Sequence, residues 1–245
     1  MRRIALAGLV VVALLLAWEA VVAGLRLPRW IMPDPIATAA AFWRERGSIL
    51  SHLAFTLEGA MAGLLVSACM AISLAASFVL SARLARAAMP LLIVLRTVPV
   101  VAVAPLLVMA VGRTLWTSVV VALIVSFFPI LVNATRGMLA TPEPALTLMH
   151  IAGARWWQVL VKVRLPYALP HLFTGLRLAA ASSLLGAMLA EWLSGTPGLG
   201  FLILDASAMQ DMARLWAVAL VGMLTGLSVY ALMSALEAGT THWHD

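Results

Sequence analysis

Apolar residues lie along this chain in six long stretches, separated by short segments that carry most of the charged residues and prolines. Most of these stretches have the roughly 20 residues that an α-helix needs to cross about 30 Å of hydrocarbon. The pattern therefore predicts an all-α integral membrane protein, with a single transmembrane domain over residues 1–245 and no internal repeat. The six predicted transmembrane helices lie near residues 4–25, 53–80, 88–111, 115–135, 167–194 and 213–236.

Two features refine this prediction near the N-terminus. Residues 26–50 contain a proline-rich turn, and we expect a short helix over 36–50 that lies at the membrane surface. The first apolar stretch also resembles a cleaved signal peptide, and cleavage would leave five spans. We prefer an uncleaved anchor, because the apolar run continues past Trp18 to Leu25.

Small residues recur at every fourth position along the second predicted span. This spacing places them on one face of a helix, where they allow a neighbouring helix to approach closely. We expect the face to pack against another span, and a subunit interface is the alternative. The residues are Gly59, Gly63, Ser67, Ala71 and Ala75.

The composition supports membrane insertion, since 64% of the residues are hydrophobic and 11% are charged. A soluble monomer of this size cannot hide so much apolar surface in one core. The net charge of +6 comes without a clustered basic stripe, so we expect no nucleic-acid partner. Basic residues are retained in cytoplasmic segments, and placing both termini in the cytoplasm puts the larger share of them inside.

The segment over residues 136–166 is too polar to cross the membrane and too regularly patterned for a plain linker. Pro142 and Pro144 favour the start of a helix, because the first turn of a helix has unpaired N–H groups. Gly153 is suited to end that helix, and a second amphipathic turn starts at Trp156. We therefore expect a short cytoplasmic helix across the spans, with an apolar side formed by Leu146, Met149 and Ile151.

This segment carries a resemblance to a known family. Gly153, nine further residues and then Val163-Arg164-Leu165-Pro166 resemble the G-x9-I-x-L-P core of the EAA loop. That loop is the signature of permease subunits of binding-protein-dependent ABC importers. Matching segments flank it, and those at 95–99 and 104–106 resemble the nitrate, sulfonate and taurine branch. The other matching segments are Thr174-Gly175-Leu176-Arg177, Ala190-Glu191-Trp192-Leu193 and Gly198-Leu199-Gly200.

The resemblance implies a type I importer permease fold with six spans and a cytoplasmic coupling helix, in the bacterial inner membrane. It also implies a pair of permease copies, two cytoplasmic ATPases that bind the loop, and an extracytoplasmic solute-binding protein. One departure is that Thr147-Leu148-Met149 stands where the family has Glu-Ala-Ala. The residues expected to contact the ATPase are Thr147, His150, Ile151, Gly153, Ala154, Arg155, Trp156, Val163 and Pro166.

The motifs that this chain lacks indicate that it is not an enzyme. A P-loop needs a lysine followed by serine or threonine, whereas the only lysine, Lys162, precedes Val163. We therefore expect ATP and Mg²⁺ to bind to the partner ATPase and no cofactor to bind here. His242 and His244 offer too few ligands for a metal site.

Three charged residues fall within or beside the predicted spans. Glu191 is costly in hydrocarbon, so we expect it to pair with Arg96 or Arg177, either as a structural ion pair or along the translocation path. The two arginines favour a small anion such as a sulfonate, taurine or nitrate as the solute. A pyrimidine or other vitamin precursor is the alternative. A secondary transporter should instead show paired carboxylates or an inverted repeat, and the sequence has neither.

Overall fold

The computed structural model describes the backbone of residues 2–240 and the side chains of residues 9–240 except residues 11 and 95. His242 and His244 lie outside the described residues. All regular structure in the described part is helical, as predicted. The helices are α1 (Arg2–Gly24), α2 (Pro35–Leu80), α3 (Ala82–Thr97), α4 (Val100–Val111), α5 (Leu115–Leu139), α6 (Glu143–Ile151), α7 (Trp156–Val159), α8 (Leu165–Ser194), α9 (Leu199–Ala208) and α10 (Met212–Thr240).

Four helical segments are long and apolar enough to cross a membrane, namely Pro35–Leu80, Leu115–Leu139, Trp156–Ser194 and Met212–Thr240. The third of these combines α7, a π-helical turn at Leu160–Arg164 and α8. Three shorter apolar helices accompany them, at Val12–Gly24, Val100–Val111 and Leu199–Ala208.

The predicted separation between a surface helix over 36–50 and a span over 53–80 is wrong. Both belong to α2, a single helix of 46 residues whose first turn is capped by the Asp34 side chain, which accepts from the Ala37 N–H at 2.6 Å. No proline interrupts the helix after Pro35, and its internal glycines are compatible with helical geometry. At about 1.5 Å per residue α2 is roughly 69 Å long, well beyond the hydrocarbon thickness.

The predicted span over 88–111 is not one helix either, because α3 ends at Thr97 and α4 begins at Val100. Pro99 has no N–H to continue the α3 ladder, and a residue before proline is pushed away from helical geometry. Pro99 instead stands as the N-cap of α4, with φ −64° and ψ 116°. The break is therefore encoded in the sequence by Pro99.

The core of the bundle forms where α5 packs between α2 and α8. The small-residue face of α2 is buried as predicted, and Gly59 and Gly63 face Ser118 and Ala122 of α5. On the other side of α5, Gly175 and Gly186 of α8 make equally close contacts. The face thus packs within this chain against α5, which confirms the first of the two alternatives. The largest apolar cluster includes Leu64, Phe78, Ile130, Leu131, Met138 and Leu172.

Candidate functional site

The short helix α6 carries a stripe of exposed side chains that no other part of the described chain covers. It begins after Pro142, which is its N-cap, with Glu143 in the first turn. Leu148 and Ile151 lie three residues apart on one face and are 68% and 78% exposed. Of the three residues predicted to form the apolar side of this helix, Leu146 and Met149 are half-buried, whereas Ile151 is exposed. We define the exposed stripe as Pro144, Thr147, Leu148 and Ile151.

The turn after α6 has the left-handed backbone for which glycine is suited. Gly153 has φ +68°, and the N–H of Ala154 donates to the Met149 carbonyl at 3.0 Å. These features close the end of the helix in the manner of a left-handed C-terminal cap. A Cβ at Gly153 would meet no atom within 4 Å, so the constraint within this chain is conformational and not steric.

The chain then turns back toward the bundle through an elbow at residues 154–166. Arg155 caps α7, and its N–H donates to the Gln158 side chain at 2.7 Å. In a regular helix the Lys162 carbonyl would accept a hydrogen bond from the N–H of residue 166, but Pro166 has no N–H. The backbone forms a π-helical turn at Leu160–Arg164, just before this proline. The Arg164 side chain donates to the Met138 carbonyl at 3.1 Å, so the elbow is tied to the end of α5.

The structure leaves six of the nine predicted loop residues exposed, and the other three are half-buried. Val163 and Pro166 are half-buried in the elbow, so they position the loop and do not share its exposed surface. Ala154 is half-buried in the turn between the two helices. The exposed members are Thr147, His150, Ile151, Gly153, Arg155 and Trp156.

The predicted pairing of Glu191 with Arg96 or Arg177 is wrong. Arg177 forms an ion pair with Glu237 of α10 at 3.0 Å, and its guanidinium also lies 5.9 Å from the Tyr230 ring centroid. Arg96 is exposed at the end of α3, with its guanidinium 4.7 Å from the Phe128 ring centroid. No carboxylate among the described side chains forms an ion pair with Arg96.

Glu191 is fully buried, at 0% exposure, near the end of α8. Its Oε2 accepts hydrogen bonds from the Thr56 hydroxyl at 2.9 Å and from the Gly200 N–H at 3.0 Å. Gly198 packs so closely on the carboxyl group that a Cβ there would overlap it. Sequence reasoning missed Thr56, because a partner 135 positions away leaves no trace in local periodicity.

A surface cavity of about 620 Å³ with both polar and apolar lining lies between the beginning of α2 and the turn from α9 to α10. Arg44 reaches Asp211 at 3.6 Å across this cavity, and exposed Trp30 forms part of its wall. The sequence signal for it was the charge in residues 26–50, which the surface-helix interpretation did not connect to the α9–α10 turn. The polar and charged residues that line it are Arg29, Trp30, Arg44, Gln210 and Asp211.

Comparison with known families decides the class of this chain. Residues 63–242 match the model for the binding-protein-dependent transport system inner membrane component. This chain belongs to that family. The match covers α5, the α6 turn, the elbow and α8, so the inner-membrane permease domain includes the whole exposed loop surface described above.

Relatives of this permease family span several solutes by name. The riboflavin transport system permease protein of Chloroflexus aurantiacus is 33% identical over 94% of this chain and 87% of its own length. The formylaminopyrimidine transport permease protein of Halalkalibacterium halodurans is 30% identical over 94% of this chain and 92% of its own length. The nitrate import permease protein of Leptolyngbya laminosa is 30% identical over 80% of this chain and 72% of its own length.

Proposed function

We propose that this permease forms the translocation path of an ATP-driven importer and that its α6 loop docks a cytoplasmic ATPase. The observation that carries the proposal is the exposed stripe on α6, in which Leu148 and Ile151 stand side by side outside the bundle. Apolar side chains in such a position are stabilised when a partner covers them. The matched family is that of binding-protein-dependent systems, which supports an ATPase and a binding protein as partners.

The proposed assembly contains two copies of this chain, two ATPases and one extracytoplasmic binding protein. ATP and Mg²⁺ bind to the ATPases, so this chain is a transport subunit and not an enzyme. With both termini in the cytoplasm, α3 and α4 together act as the third of six spans, and α6 is the coupling helix. The cavity lined by Arg29 and Arg44 then faces outward, where the binding protein delivers the solute.

Alternating access follows from the mechanical continuity of the elbow. Closure of the ATPase dimer would displace α6, and the hydrogen bond from Arg164 to the Met138 carbonyl links that displacement to α5. The elbow also continues directly into α8 through the π-helical turn. Both helices pack in the bundle core, so a displacement of the loop reaches the spans that border the path.

Two solute classes have separate support. A small anion such as a sulfonate, taurine or nitrate is supported by exposed Arg96, whose charge has no ion-pair partner among the described side chains, and by the nitrate permease relative. A pyrimidine or other vitamin precursor is supported by the riboflavin and formylaminopyrimidine permease relatives. Uptake of labelled nitrate, taurine, riboflavin and formylaminopyrimidine, each measured separately in cells expressing the transporter, distinguishes the two solute classes.

Docking is tested by placing a charge in the exposed stripe. Leu148→Asp and Ile151→Asp each put a carboxylate where the proposal places a dry contact, and we expect the ATPase to be lost during purification of the permease. Ala140→Asp is the matched control, because Ala140 is exposed in the same loop but lies outside the stripe. Retention of the ATPase by both stripe variants would remove α6 from the proposal.

A further inference from the structure

The Glu191 carboxyl group, in the last turn of α8, caps the beginning of the next helix, α9. Gly198, the N-cap of α9, provides no side chain for the first N–H groups of that helix. The Leu199 N–H instead donates to the Thr56 hydroxyl at 2.8 Å, and the Gly200 N–H donates to Glu191 Oε2 at 3.0 Å. A carboxyl group and a hydroxyl group from two other helices therefore satisfy the positive end of α9.

The opposite end of α9 is tied to the same long helix. Arg214 at the beginning of α10 donates to Asp205 of α9 at 2.6 Å and forms an ion pair with Glu45 of α2 at 2.7 Å. Glu45 and Thr56 are about three helical turns apart on α2. Because the start of α9 lies at Thr56 and its end lies toward Glu45, α9 runs antiparallel to the first half of α2.

An apolar contact fills the space between these two ties. Ile49 of α2 packs in one buried cluster with Leu199 and Leu202 of α9 and Val218 of α10. Polar contacts at both ends and an apolar contact between them hold α9 against the first half of α2. We call these two helical segments the braced pair. Since α2 is unbroken from Pro35 to Leu80, the pair is continuous with a membrane-spanning segment.

Glu191 stands where this braced pair meets the helix that begins at the ATPase-docking loop. The elbow leads into α8 at Leu165, and Glu191 lies in the last turn of the same helix, which ends at Ser194. We propose that Glu191 is a positioning residue that couples α8 to α9, so that the movement of the docking loop reaches the outer face of the permease. This inference rests on the proposed function, because it assigns α6 and α8 the role of carrying the ATPase movement.

The test is hydrogen–deuterium exchange of the permease–ATPase complex, measured without nucleotide and with ATP plus vanadate. In the wild-type complex we expect nucleotide to change exchange in both α6 and Leu199–Leu202. In Glu191→Leu the amides of Leu199–Leu202 should exchange about five-fold faster, the size of a lost helix cap, and should no longer respond to nucleotide. The response of α6 should persist.

Three further variants separate capping from simple destabilisation. Glu191→Gln keeps an oxygen acceptor for Thr56 and Gly200, so it should restore both the slow exchange and the nucleotide response. Thr56→Val keeps the side-chain shape and removes one link, so it should speed exchange in Leu199–Leu202 even if Glu191→Leu fails to fold. Glu58→Leu is the control, because it removes an exposed carboxylate two positions from Thr56 on α2, and it should resemble wild type.

The outcomes distinguish this inference from the proposed function. If α6 responds to nucleotide in the wild-type complex and Leu199–Leu202 does not, the coupling role of Glu191 is overturned and the docking proposal stands. If α6 itself does not respond, or no ATPase is bound, the proposed function fails. A Glu191→Gln variant as defective as Glu191→Leu would overturn the capping role.

Discussion

Replacing Gly153 with alanine or valine should weaken ATPase docking without removing the permease from the membrane. The backbone there has φ +68°, and a left-handed conformation costs a non-glycine residue about 1–2 kcal/mol. A Cβ would have no neighbour within 4 Å, so no clash inside this chain adds to that cost. A side chain at residue 153 would therefore not press on the Trp156 turn.

The conformational cost sets the size of the expected effect. A change of 1–2 kcal/mol corresponds to roughly a 5- to 30-fold change in an equilibrium constant. We expect Gly153→Ala to weaken ATPase binding by about that factor, because docking requires the turn to hold α6 in place. Gly153→Val should weaken it further and abolish transport, since β-branched residues are rarer still at positive φ.

The discriminating variant is Gly153→Asn, because asparagine tolerates the left-handed region far better than other residues with a side chain. Binding of the ATPase to the detergent-solubilised permease, measured by titration, should be near wild type for this variant. Ala152→Asn is the matched control at an exposed neighbour with φ −71°. Full binding by Gly153→Val would refute the reasoning, and equal loss in Gly153→Asn and Gly153→Val would assign the requirement to space occupied by the partner.

Three other predictions concern the loop, the path and the topology. Thr147→Glu restores the family's acidic residue on the exposed stripe, and we expect it to reduce ATPase retention, because an unpaired carboxylate in a covered groove is costly; retention above wild type would show that the ATPase keeps a basic partner. Arg96→Lys keeps the charge and loses the planar group over Phe128, so we expect normal assembly with reduced uptake, whereas wild-type uptake would remove Arg96 from the path. A reporter fused after Asp245 should be active only in its cytoplasmic form, and its export would contradict the six-span topology.

Features set by local chemistry could be predicted from the sequence. The small-residue face of α2 and the start of α6 after Pro142 follow from helix periodicity and from the missing N–H of proline. The break between α3 and α4 could have been predicted as well, because Pro99 lacks the N–H that would continue α3. The prediction overlooked it because the apolar run continues on both sides of that proline.

Features that depend on contacts between distant segments could not be predicted in this way. Arg177 pairs with Glu237 rather than Glu191, and nothing in helix periodicity specifies which carboxylate faces it. Glu191 satisfies its burial with the Thr56 hydroxyl and the Gly200 N–H, a solution that needs no opposite charge. The sequence could indicate that a buried glutamate requires partners, but their identity depends on how α2, α8 and α9 pack.

The central claim is that α6 lies against the ATPase, and site-specific crosslinking tests it most directly. Cys69 is the one cysteine of the chain, so a Cys69→Ala background carries a single new thiol in Ile151→Cys. We expect a bifunctional reagent to crosslink that thiol to the ATPase in membranes. A thiol placed at exposed Ala140 by Ala140→Cys should crosslink to the ATPase far less. Equal crosslinking from both positions, or none from Ile151→Cys in a complex that retains its ATPase, would contradict the account.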